Sequence, residues 1–183
     1  MRPDPGAGVR LAGLLSALSE WAEDLDEAEL GRPTPRGSSV AAVVDRLRRR
    51  ADASGGSPTA LQWAEVGAVA DAQDLAAALP DHAPPLPRAC VAAAVRTTLA
   101  VLAERHPGHL VEVRVPPWGA VQIGRPGVGS VHRRGTPPNV VETDADTWLR
   151  LATGARSWGD ALAGHAVSAS GPHAQLGDLL PLT

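Results

Sequence analysis

Hydrophobic and polar positions alternate most regularly from Val111 to Val115: Val111, Val113 and Val115 fall on one side, Glu112 and Arg114 on the other. A period of two predicts a strand with one buried face. Pro116 and Pro117 have no N–H to give to a ladder, so they end that strand and turn the chain. Ala120-Val121-Gln122-Ile123 reads as a return strand, closed by Gly124 and the Pro126-Gly127 turn. Val140-Val141-Glu142 reads as a third strand leaving the Thr136-Pro137-Pro138-Asn139 loop, and Val167 and Ala169 alternate with Ser168 and Ser170 as one more.

Between these strands the period lengthens to that of a helix. Thr143 or Asp144 is placed to cap a helix whose apolar side is Trp148, Leu149, Leu151 and Ala152, with Gly154 as its stop. Ser157 and Asp160 repeat the capping pattern before Ala161 and Leu162, and Gly164 ends that turn. Gly171-Pro172 is read as the start of a last helix carrying Leu176, Leu179 and Leu180.

The first 82 residues are helical throughout. Leu11, Leu14, Leu15, Leu18, Trp21 and Leu25 make one apolar stripe, with Glu20, Glu23, Asp24 and Glu27 on its wet side. Ser38 or Ser39 caps a second helix with Val40, Val43, Val44 and Leu47 inward; Arg46, Arg48, Arg49 and Arg50 are expected to trail into solvent. Ala53-Ser54-Gly55-Gly56-Ser57-Pro58 reads as a linker, and a third helix runs from about Thr59 to Leu79. Four prolines between Pro80 and Pro87 stiffen the chain, which places a boundary there: residues 1–82 as a helical N-terminal segment, 83–183 as a second domain opened by a helix from Ala89 to His106. Helix, strands, two short helices and strand make that domain α+β, a mostly antiparallel sheet covered by helices.

Composition changes this picture in few places. The 183 residues include no Phe, Tyr or Lys, so Val, Leu and Ala build the core, with five Trp as the large fillers. Net charge is −3; residues 1–82 carry 13 acidic residues and 8 Arg, residues 83–183 carry 7 and 9. Neither half has the basic excess of a nucleic-acid footprint. The single Cys90 excludes an internal disulfide and fits a reducing compartment; inside an Ala/Val helix it is expected to be a buried small hydrophobe. No run of about 18 apolar residues exists, so the expectation is a cytoplasmic protein without stable membrane insertion. The six His lack metal-ligand spacing, and neither a nucleophile elbow nor a phosphate-loop lysine is present.

The runs RVPPWGAVQ, RGTPPNVVETDADTWLRLATG and VSASG with LGDLLPL resemble the bacterial sterol-carrier-protein-like family. This is a branch of the SCP2 superfamily also found as the C-terminal domain of mycothiol-dependent maleylpyruvate isomerase relatives. The resemblance covers roughly Pro85 to Thr183. A shorter one, LGRPTPRGSSVAAVVDRL, looks like the DinB-like metal-binding domain of that isomerase family; Ser38 stands where the pattern has Trp, and Arg46 where it has a metal-ligand His. An arginine has no lone pair to offer a cation, so if that resemblance is ancestry its metal site is gone; no metal is expected, and no cofactor.

An SCP2-like fold implies an apolar hollow between sheet and helices. Val113, Val115, Val121, Ile123 and Val141 would floor it, and Trp148, Leu151, Trp158 and Leu162 would roof it, with Trp118 beside them. Arg133 and Arg134, ahead of a proline-locked turn, would offer a fixed pair of cations to a carboxylate or phosphate head group. The same apolar residues would equally fill a solid core. The resulting expectation is a non-enzymatic, carrier-like protein for a lipid or other apolar small molecule. An isomerase-family relative that uses a low-molecular-weight thiol (or an accessory or degenerate relative of such enzymes) and a solid-core interaction module stand as alternatives. Stoichiometric zinc would favour the first of these, and a co-purified lipid would exclude the second.

Overall fold

A computed structural model describes residues 2–52, 56–125, 127–128 and 139–183. The described residues form two compact units, Arg2–Ala94 and Val95–Thr183.

The N-terminal unit is built of α1 (Ala7–Ala22), the short α2 (Glu27–Leu30), α3 (Val40–Asp52) and α4 (Pro58–Ala78), together with the first residues of α5 (Arg88–Arg105). α1 packs on α3 and α4, and α3 packs on α4. The predicted stripe closes this bundle: Leu11, Leu14, Leu15 and Leu18 are buried, as are Val40, Val43, Val44 and Leu47. Trp21, in the last turn of α1, and Leu25, beyond its end at Ala22, lie half-exposed. Ser57 caps α4 by accepting from the Ala60 N–H, one residue ahead of Pro58. The rest of the expected linker, residues 53–55, lies outside the described residues. α2 has no apolar period to announce it; Asp26 and Glu29 make it with a reciprocal capping box.

The C-terminal unit holds the rest of α5, a four-stranded sheet, α6 (Ala145–Ala152) and α7 (Trp158–Ala163). Its strands are β1 (Val111–Val115), β2 (Gly119–Ile123), β3 (Asn139–Thr143) and β4 (Val167–Ser170), in the order β2-β1-β3-β4. β1–β2 and β3–β4 are antiparallel; the central β1–β3 pair is parallel, with Val113 opposite Val141. The fold is therefore α+β with a mixed, predominantly antiparallel sheet. Val111, Val113, Val115, Ile123 and Val141 share its buried face.

One predicted element is corrected. No helix follows Gly171-Pro172; residues 171–183 run as turns and extended chain. Leu176 and Leu179 are nonetheless buried, and the Leu182 N–H donates to the Ala152 carbonyl at 2.8 Å, so the tail docks on the end of α6. Asn139 ties the same tail to the sheet. Its amide donates to the Leu110 carbonyl and its oxygen accepts the His173 N–H, both at 2.9 Å.

Candidate ligand-binding cleft

α6 starts where Asp144 accepts the Thr147 N–H (2.9 Å) and hydroxyl (2.8 Å), a cap that leaves Thr143 free to finish β3. It ends at Ala152, and Gly154 just beyond it has a positive φ of 75° that suits glycine. The four residues Thr153, Gly154, Ala155 and Arg156 then lead to Ser157, which caps α7 by accepting the Asp160 N–H at 3.0 Å. This tight α6–α7 corner and the docked tail enclose an open cleft of about 290 Å³. Leu151, Trp158, Leu180 and Pro181 supply apolar wall, and Arg156 supplies a cation. Gly177 makes the corner fit: a Cβ there would lie 3.2 Å from Trp158 Cδ1.

Trp158 is buried, and its indole N–H has no acceptor among the described residues. A donor left in that state costs on the order of 1–3 kcal/mol. The Arg156 backbone N–H donates to the Arg150 carbonyl at 3.2 Å and its guanidinium to the Asp160 carbonyl at 3.3 Å; the guanidinium lies over Gly164, where a Cβ would come within 2.8 Å of Nη2.

Of the residues expected at a ligand site, Leu151 and Trp158 come together at this cleft. Val113, Val115, Ile123, Val141 and Trp148 are fully buried in the unit's interior, and the Trp148 indole donates to Thr98 Oγ1 at 2.8 Å. Val121, Trp118 and Leu162 are half-buried. Arg133 and Arg134 lie outside the described residues. Sequence reasoning missed Arg156, Gly177, Leu180 and Pro181 as lining residues. The closest signal to them was the pairing of a helix stop at Gly154 with a cap at Ser157, which forces a sharp corner.

The N-terminal unit has its own concentration of charge. Glu65, Asp71 and Asp74 of α4 are all but inaccessible to solvent. Asp71 accepts from Arg36 (2.7 Å), Arg46 (3.2 Å) and Arg50 (3.3 Å), and Arg36 also bonds Asp74. Arg46 and Arg50 therefore fold back onto α4, correcting the expectation that they trail into solvent. Gly67 makes room for Arg50, whose guanidinium sits 2.6 Å from where a Cβ would be. Arg10 grips Glu65 through Nε at 2.7 Å and Nη2 at 2.8 Å, which raises the guanidinium pKa further above its ordinary value. Cys90 is buried, and desolvation followed by the Glu65 charge pushes its thiol pKa up. That keeps it protonated and a poor nucleophile. Among the described residues, no group of three or more His, Cys, Asp or Glu side chains is placed to hold a metal ion. No described helix is long and apolar enough to cross a membrane.

A mixed four-stranded sheet with helices packed on it defines an α+β domain. The family of bacterial SCP orthologs matches residues 87–182, slightly more than half of the chain, and the chain belongs to that family. No curated protein sequence is significantly similar to it.

Proposed function

We propose that the protein is a non-enzymatic, carrier-like binder of a lipid or other apolar small molecule, seated at the α6–α7 corner. The observation that carries this reading is the open cleft walled by Leu151, Trp158, Leu180 and Pro181. Each methylene a ligand buries there contributes about 0.8 kcal/mol. At about 290 Å³ the cleft is near the lower end of ligand-site volumes. It suits a small molecule or one end of a longer chain. Membership in the SCP ortholog family supports the same reading. In this proposal residues 83–183 form the ligand-binding domain and 1–82 a helical extension.

The test is titration of the purified chain with a fluorescent alkyl probe, alongside native mass spectrometry for co-purified lipid. Saturable binding that Leu180→Trp weakens by filling the cleft supports the proposal. Absence of any bound or binding alkyl ligand, or binding that Leu180→Trp leaves unchanged, overturns it.

A further inference from the structure

Independently of the carrier reading, we propose that the N-terminal unit holds a binding site for a phosphate group, formed by Arg36, Arg46 and Arg50 over Asp71. Three guanidiniums converge there on two buried carboxylates, Asp71 and Asp74, which leaves a positive charge in excess. Arg49 adds to that excess. It lies three residues after Arg46 on the same face of α3, is exposed, and makes no ion pair among the described residues. Asp45 and Arg48, also on α3, pair with each other and change nothing.

The carboxylates anchor the guanidiniums without exhausting them. Arg36 bonds Asp74 through Nε and Asp71 through Nη2, and Arg46 bonds Asp71 through Nε and Nη2. Nη1 of each has no partner among the described residues. Arg50 engages Asp71 through Nε alone, so both of its amino nitrogens are unpaired there. The Arg36, Arg46 and Arg50 side chains keep 27%, 33% and 32% of their surface in water, which leaves the cluster open to a solute. Two backbone features hold it in place. Arg36 sits on a pinned turn, where the Thr34 N–H and hydroxyl both donate to the Ser38 carbonyl, at 2.8 and 2.9 Å. Gly67, inside α4, admits the Arg50 guanidinium by having no side chain, although glycine weakens a helix relative to alanine.

Donors that arrive from a loop and from two turns of a helix suit a tetrahedral anion, whose oxygens point in different directions. A planar carboxylate fills one fork and leaves the others unused. Charge agrees: four arginines against two aspartates leave an excess of two, and a phosphate monoester carries about −1.5 to −2 at neutral pH.

Calorimetric titration of the intact chain with inorganic phosphate, glycerol phosphate and acetate, at one ionic strength set with sodium chloride, tests the site. Co-sedimentation with phosphatidylcholine vesicles containing phosphatidic acid adds the lipid-headgroup source. The expected result is saturable binding of inorganic phosphate or glycerol phosphate, about tenfold tighter than acetate. Vesicle binding that glycerol phosphate displaces would assign the same site to a headgroup. Arg36→Gln should weaken phosphate about tenfold. If that variant fails to fold, Arg36→Lys keeps a charge opposite Asp71 and Asp74 but loses the fork, and phosphate affinity should still fall severalfold. No saturable binding of phosphate in any of the three forms overturns the proposal. So does phosphate binding no tighter than acetate, or an affinity unchanged in whichever Arg36 variant folds. None of these results touches the carrier reading, which rests on alkyl ligands at the other unit.

Discussion

The indole of Trp148 donates to the hydroxyl of Thr98 at 2.8 Å, joining α6 to α5 inside the C-terminal unit. Both residues are fully buried, and the Thr98 hydroxyl donates a hydrogen bond to the Val95 carbonyl at 3.0 Å. Replacing Thr98 by Val keeps the shape and removes the acceptor. The indole N–H is then buried without a partner, which costs on the order of 1–3 kcal/mol. A lower midpoint in urea with an unchanged m-value is the expected outcome; an unchanged midpoint would show that the bond contributes nothing.

Asp71 is the hub of the N-terminal unit, since three guanidiniums meet on its two oxygens. Asp71→Asn keeps the volume but removes the charge that neutralises them. Removing one partner of a buried pair costs about 3–5 kcal/mol. Here the arginines are each about a third exposed, so water compensates part of the loss and about 2–3 kcal/mol is expected. Thermal melting of the full chain checks this. A variant melting within a degree of wild type would mean the cluster is solvated rather than structural.

How much of this was readable in advance follows from which interactions are local. The Val111–Val115 alternation marks β1 because a half-buried strand needs no information beyond its own side chains. The Ser157 cap is legible for the same reason: donor and acceptor lie three residues apart. The parallel pairing of β1 with β3 was not legible, since strand alternation is identical in either direction. Leu176, Leu179 and Leu180 imitate helical spacing, but Gly177 lies against Trp158 and the tail packs as turns. Asp71 and Asp74 look like solvated charges until Arg36, 35 and 38 positions earlier, is folded onto them. Arg156 has no periodic neighbours at all, so only the closed corner identifies it.

Asn139 is expected to be intolerant of change. It is buried, and it bridges the Leu110 carbonyl and the His173 N–H. Asn139→Ala frees a donor and an acceptor and leaves a small void, for a combined loss of about 2–3 kcal/mol. Hydrogen exchange should localise the effect, with faster exchange at His173 and along the tail that follows. Uniform acceleration across the unit would instead mark Asn139 as ordinary filler.

The same tail carries a pH dependence. Arg125 donates to Asp178 at 2.7 Å, and this contact lowers the Asp178 pKa from its ordinary value near 3.8. A carboxyl whose folded pKa is depressed binds fewer protons folded than unfolded as pH falls through that range. Its contribution is therefore complete above the unfolded pKa and disappears as the folded carboxyl protonates. Wild type should melt above Asp178→Asn at pH 6, with the gap narrowing progressively once pH drops below about 4. Because the carboxylate is exposed, the gap should also shrink in 1 M salt, where the screening length falls to about 3 Å. A gap that persists undiminished at pH 2 would mean that Asp178 holds the tail through its backbone turn rather than through its charge.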